Sequence, residues 1–285
     1  MIKRTPYILA LLLLLWLSLA QLRAQRVPAP LSLPAQQRVE TLHPTVGVHT
    51  RLSGRDEATV ERTLIQVREM GATTIIDLFP WAWIQPRSPY AYDWAGSDML
   101  IAHARRQGLE VIARLDFVPA WARPANRNDR FIDPERYPDY ARFVAAFAAR
   151  YAPQGVRVLQ IWNEPNLRFE WGDRAPDPAV VNFRRAELVH DRLVAAGRDV
   201  PIYITEGGWN DHPRWVGAVS PPVRVRYTVA AYAQAERWPW LRATCLWQFS
   251  LPALTYTYVD NYTFVSPDGA PKAVYYAVRR WARGE

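Results

Sequence analysis

Cysteine, lysine and long apolar runs are all scarce in this chain, and each shortage removes a class of protein. A single cysteine, Cys245, excludes an internal disulfide framework. It sits inside the apolar stretch RATCLWQF, a place for filling core space rather than for attacking a substrate. Lysine occurs only at positions 3 and 272, so the excess of 35 basic over 27 acidic residues, a formal charge of +8, is carried by arginine. The calculated isoelectric point is near 9.8. Those arginines are scattered through every segment rather than gathered in a stripe. There is also no zinc-finger spacing, no RNP-like aromatic motif and no phosphate-cradling glycine loop, so no nucleic-acid partner is expected. The histidines at 43, 49, 103, 190 and 212 show no paired zinc spacing, which argues against a metal-dependent hydrolase; no metal or other cofactor is expected.

The longest apolar run, Tyr7 to Leu17 and on through Ala20, follows Lys3 and Arg4. It is short for a membrane span of about 20 residues but suits the core of a signal peptide. Cleavage after Ala20 or Ala24 fits the small-residue rule, and no lipoprotein cysteine follows. Residues 1–24 are therefore expected to be a signal peptide, or an N-terminal anchor if uncleaved, making the protein secreted or otherwise extracytoplasmic. Membrane contact is expected only through that segment. Residues 25–44, rich in proline, alanine and glutamine, read as a linker, and residues 45–285 as the domain.

Within that domain, with 49% of the whole chain hydrophobic, short apolar runs alternate with helical patterns. TVGVHT, ATTIIDLF, LEVIARLDF, VRVLQIWNE, VPIYITEGG and LRATCLWQFS read as parallel strands, each followed by a helix. The expected fold is α/β, a TIM-barrel-like barrel shortened to about six βα units. Polar residues gather at the C-terminal strand ends: His49, Asp77, Asp116, Glu164, Glu206 and Gln248. That is the face on which parallel barrels build active sites, although a helix N-cap explains Asp77 or Asp116 equally well.

Glu164 and Glu206 stand out because residues that halt regular structure follow each of them, Pro165 after the first and Gly207-Gly208 after the second. Two carboxyl groups across a pocket suit glycoside hydrolysis, one donating a proton to the leaving oxygen while the other attacks the anomeric carbon or activates water. The chain also holds 13 tryptophans, several just past strand ends: Trp81, Trp83, Trp121, Trp162, Trp209 and Trp247. Flat aromatic faces cover the C–H face of a pyranose while polar side chains reach its hydroxyls. Trp16, Trp238, Trp240 and Trp281 read as packing instead. The aromatic stretch TYTYVDNYTF, residues 255–264, reads equally as cleft wall or rim packing.

WNEPN at 162–166, YITEGGW at 203–209, the strand-end Trp247 in LWQFS and the long stretch YDWAGSDMLIAHARRQGLEVIARLDFVPAWA at 92–122 together resemble the clan A glycoside hydrolases. These are retaining enzymes on a (β/α)8 barrel, including families 5 and 39. The resemblance implies Glu164 as general acid/base, Glu206 as nucleophile, Asn163 binding the hydroxyl beside the anomeric carbon and Trp247 as the platform beneath the sugar. His49, Trp83, Asp116, Trp121 and Trp209 are further candidates for substrate contacts. The implied activity is cleavage of β-linked O-glycosides or of an oligo- or polysaccharide, by a β-glycosidase or endo-glycanase. The sequence leaves the sugar, the linkage and the oligomeric state open.

This chain departs from the family in one respect. Eight units in about 250 residues make roughly 30 per unit, so strand-four and strand-seven residues should lie about 90 apart. Glu164 and Glu206 are 42 positions apart, so two βα units are expected to be missing after Leu167, along with any strand-six tyrosine or histidine. That absence raises the alternative of a catalytically impaired glycan-binding protein descended from such an enzyme.

Overall fold

The computed structural model describes residues 36–123, 132, 134–161, 163, 186–187, 190–191, 194, 201–215 and 218–285. These belong to a compact unit, Leu33–Glu285; a separate unit, Met1–Ser32, lies outside the described residues, and with it the signal-peptide or anchor reading of 1–24.

Six strands and six helices carry the architecture among the described residues: β1 Val46–His49, α1 Glu57–Glu69, β2 Thr74–Pro80, α2 Trp81–Ile84, α3 Ala95–Arg106, β3 Glu110–Asp116, α4 Tyr137–Tyr151, β4 Val158–Ile161, β5 Ile202–Ile204, α5 Pro221–Ala235, β6 Leu241–Leu246 and α6 Ala273–Arg283. Local chemistry sets many of their limits. Asp56 caps α1 by accepting from the Thr59 amide at 2.9 Å. Proline starts α5, where the missing N–H costs no helical bond. Gly71 and Gly108 follow α1 and α3 with φ of 87° and 72°, a backbone that glycine adopts without strain.

All strand pairings are parallel, in the order β4-β3-β2-β1-β6-β5. In an eight-stranded barrel, β5 and β6 would be the seventh and eighth strands, so the interruption falls between β4 and β5, where the sequence arithmetic puts the missing units. The sheet is nevertheless curled. Ile76, Ile112, Ala243 and Cys245 form one buried cluster, and Val158 of β4 and Tyr203 of β5 both pack against it. Side chains from the two outermost strands meet the same cluster only if the sheet bends around it. The result is a curled half-barrel, a shortened TIM-like fold.

Close backbone contact tightens the barrel floor. A Cβ on Gly47 would sit 2.7 Å from the Cys245 Sγ and 3.1 Å from the Thr74 carbonyl oxygen. Cys245 is fully buried, which pushes its thiol pKa up, consistent with a packing role. Outside the sheet, Phe143, Phe147 and Tyr151 of α4 pack with Phe79 and Trp81 in an aromatic layer. Arg150 joins α4 to α3 through both oxygens of Asp98. Residues 37–42 return across the barrel's N-terminal side, where the Gln37 amide donates to the Arg106 carbonyl and the Leu42 amide to that of Ala282.

Candidate active site

The C-terminal ends of the strands form a mouth whose lower layer is apolar and whose upper layer is polar. Register gives the order: His49 pairs with Ile76, while Arg114 pairs with both Leu78 and Gln160 one step higher. Side chains at paired positions of parallel strands share a face, so His49 sits on the same face as the inner cluster and Arg114 above it.

His49 is buried, and neither ring nitrogen has a hydrogen-bond partner among the described residues. Burial, followed by the charges of Arg114 and Arg51, holds its pKa well below the ordinary 6.5, so the ring is neutral at pH 7. A neutral imidazole offers one donor and one acceptor. Among the described residues, Gln248 is likewise buried with both side-chain polar atoms unpartnered, and the indole N–H of half-buried Trp247 has no partner either. Buried polar groups are seldom left unmatched, so this concentration marks a place suited to a polar ligand.

Asp116 is fully buried, bonded to Arg114 at 3.0 Å and to the Phe117 amide at 2.6 Å. Phe117 takes a left-handed φ of 65°, an uncommon state for a non-glycine residue directly after a strand end. Arg114 is the residue that sequence reasoning passed over. Its signal was a charge inside an apolar strand, two positions before Asp116 and therefore on the same face. Asp77 points elsewhere, accepting from the Thr50 hydroxyl at 2.6 Å and the Leu52 amide at 2.8 Å, which pins the loop after β1. Burial raises its pKa in spite of those bonds.

The Glu206 strand end is tied to that of Trp247. The Trp247 amide donates to the Gly207 carbonyl at 2.7 Å. Gly208, with φ of 152°, lies so close that a Cβ would meet the Trp247 carbonyl oxygen at 2.8 Å and the Tyr262 ring at 3.5 Å. The glycine pair thus lets the chain turn directly beside the aromatic residue, leaving Glu206 exposed at the bend. On the other side of the mouth, Asn163 is buried just past β4. Glu164, like Trp162, lies outside the described residues.

The remaining candidates are spread over this face. Trp83 is exposed and lies over Gly54 of the β1–α1 loop. Trp121 donates its indole N–H to the Gln85 carbonyl at 2.7 Å and meets Trp81 edge-on. Trp209 lies against Tyr227 of α5 at 5.6 Å. The aromatic stretch 255–264 joins the mouth: Tyr262 packs on Trp247 at 5.1 Å, and Tyr258 stacks on Trp215 at 3.8 Å, making a wall that runs outward from Trp247. Buried Arg224 ties this wall together, donating to the carbonyls of Trp209 (3.0 Å), Tyr262 (2.5 Å) and Thr263 (3.0 Å).

Solved structures share this architecture. A family 39 glycoside hydrolase from the gut symbiont Bacteroides cellulosilyticus WH2 superposes with a TM-score of 0.68 at 16% identity, over 88% of this chain and 65% of that one. This chain shares the fold of the family 39 and family 5 glycoside hydrolases. A family 39 β-xylosidase from Caulobacter crescentus gives 0.58 at 16% identity, over 87% of this chain and 72% of that one. The subfamily GH5_18 structure from Streptomyces cattleya in complex with GlcNAc gives 0.58 at 19% identity, over 85% and 81%. No protein-family model matches the chain, and no curated protein does. The chain spans 65% of the length of the Bacteroides hydrolase.

Proposed function

We propose that the protein is a retaining glycoside hydrolase acting on β-linked O-glycosides or glycans by double displacement. Glu206 is the nucleophile, attacking the anomeric carbon to form a glycosyl ester. Glu164 protonates the departing oxygen and then deprotonates the incoming water, which releases the sugar with its anomeric configuration retained. Asn163 holds the neighbouring hydroxyl, and Trp247 lies beneath the ring. His49, Asp116, Trp83, Trp121 and Trp209 are proposed as further substrate contacts around the mouth. Export under the apolar segment at 1–24 would place the reaction outside the cytoplasm.

The observation that carries this reading is the junction of Glu206-Gly207-Gly208 with Trp247, beside buried His49 and Gln248, whose side chains are unmatched among the described residues. A carboxylate, an aromatic platform and spare hydrogen-bonding groups are what a pyranose needs at its reactive carbon. The wall from Trp247 to Trp215 supports a substrate longer than one sugar. The break between β4 and β5 favours a second reading, a glycan-binding protein in which the chemistry has decayed. The two separate on turnover: the purified chain lacking residues 1–24, assayed on β-linked aryl glycosides, β-glucan, xylan and mannan, is expected to hydrolyse at least one. Glu164→Gln and Glu206→Gln are each expected to lose about a thousandfold or more in kcat, in line with removing a group that acts directly in the chemical step. Unimpaired turnover in either variant, or a folded but inert parent chain, would count against the enzyme.

A further inference from the structure

Aromatic rings continue outward from Trp247 along the loops after β5 and β6. Tyr262 packs on Trp247 at 5.1 Å, Tyr258 on Tyr262 at 6.5 Å, and Trp215 stacks on Tyr258 at 3.8 Å, its ring only 13° from parallel. Exposure grows along the series. Trp247, Tyr262 and Tyr258 are half-buried, whereas Trp215 is 46% exposed. Rings that serve packing alone are covered, as Phe249 and Phe264 are nearby. Tyr258 covers one face of the Trp215 indole, yet close to half of that side chain stays open to solvent.

The two loops that carry this pair are fixed. Asp260 accepts from the Thr255 amide at 2.8 Å and from its hydroxyl at 2.9 Å, closing the exposed loop at 252–257 back onto the turn that holds Tyr258. Within that loop Tyr256 takes a left-handed φ of 56°, a state that a non-glycine residue keeps only where its surroundings impose it. On the other side, the Trp215 amide donates to the His212 carbonyl at 3.3 Å and the Ala218 amide to that of Trp215 at 3.0 Å. Asn261 then donates to Asp211 at 3.2 Å, tying the loop after β6 to the loop after β5.

A ring held in place offers contact area at little cost in entropy, and its flat face suits the C–H face of a pyranose. A row of rings leading away from one sugar platform suits the successive units of a chain. Its continuity with Trp247 favours a glycan over a protein partner, which an isolated apolar patch would suit equally well. We propose that Trp215, backed by Tyr258, is a distal platform for a linear β-linked polysaccharide, gripping sugar units remote from the reactive carbon. The inference rests on the glycan reading of the mouth and deepens it, since it makes the substrate a polymer chain rather than a small glycoside.

Calorimetric titration of the full chain tests it with the disaccharides and hexasaccharides of the xylo-, cello- and manno-series, in a Glu206→Gln background so that no ligand is consumed. In at least one series the hexasaccharide is expected to bind about tenfold or more tighter than the disaccharide, the effect of roughly one further stacking contact. Trp215→Ala should remove most of that gain, and Trp215→Tyr, which keeps a flat ring, should retain most of it. Oxidative footprinting keeps the test open if Trp215→Ala folds poorly: the hexasaccharide, and not the disaccharide, is expected to protect Trp215 from oxidation. Equal affinity for short and long ligands in every series, a gain that survives Trp215→Ala, or an unprotected Trp215 overturns the proposal. So does self-association by sedimentation that Trp215→Ala abolishes without any chain-length gain, which would assign this face to a second copy of the chain. Aryl-glycoside hydrolysis by the chain with Glu206 intact, run in parallel, separates the two ideas. Turnover without a chain-length gain sinks the platform alone, and a chain-length gain without turnover sinks the enzyme alone.

Discussion

His49 shows how much one buried side chain at the mouth can report. Its ring is neutral when folded because burial and two nearby arginines oppose the charge. The unfolded chain takes up that proton near pH 6.5, whereas the folded chain takes it up only at lower pH. Below about pH 6.5 the unfolded state therefore binds more protons, and stability falls as pH drops until the folded pKa is passed. Asp77 acts in the opposite sense: with its folded pKa raised, the native state binds the proton first, and stability rises as pH falls through the window just above 3.8. The histidine contribution is isolated by comparison. Thermal melts at pH 7 and pH 5 are expected to show a smaller drop for His49→Gln than for the unmodified chain; equal drops would remove the histidine from the account.

Elements matter here chiefly for how their ends are joined. Gly208 places the Glu206 bend against the Trp247 carbonyl, so Gly208→Ala forces either a displaced bend or a strained backbone. A cost of about 1–3 kcal/mol in stability is expected from chemical denaturation, together with reduced turnover. Arg224 acts across elements, holding the loop after β5 to the aromatic wall. Arg224→Met removes charged hydrogen bonds each worth about 1.5–3 kcal/mol and not additive, so a loss of at least about 2 kcal/mol is expected, with KM rising more than kcat falls. Strand and helix identities were legible from the sequence because alternation and 3.6-residue periodicity are strong in segments such as LEVIARLD and YPDYARFVAAFAARY. The four-residue helix Trp81–Ile84 was not, being too short to carry a period. The carboxylate and aromatic candidates were legible as strand-end residues. Arg224 was not, because its partners are backbone carbonyls of distant loops and nothing in PPVRVRYTVAAY separates it from the other arginines. Arg114 left a signal that was readable only once Asp116 was treated as its neighbour on the same strand face.

On the scale of the whole molecule, the chain keeps the strands that bear the proposed site and shortens the remainder. β4 and β5 stand at the two ends of the hydrogen-bonded order, yet Val158 and Tyr203 both pack on the inner cluster, so the sheet curls between them. The compact unit from Leu33 onward contains all of this, so the chain without residues 1–24 is expected to melt at the temperature of the full chain; a lower temperature would mean that the N-terminal segment supports the barrel. The central claim is that Glu206 attacks the sugar. Its most direct test is incubation with activated 2-deoxy-2-fluoro-β-xyloside, -glucoside and -mannoside, followed by intact-mass and peptide-mass analysis. The account expects one glycosyl group per chain, attached at Glu206 and absent from Glu206→Gln. Turnover of these glycosides with the label on another residue, or with an inverted product and no label at all, would contradict it.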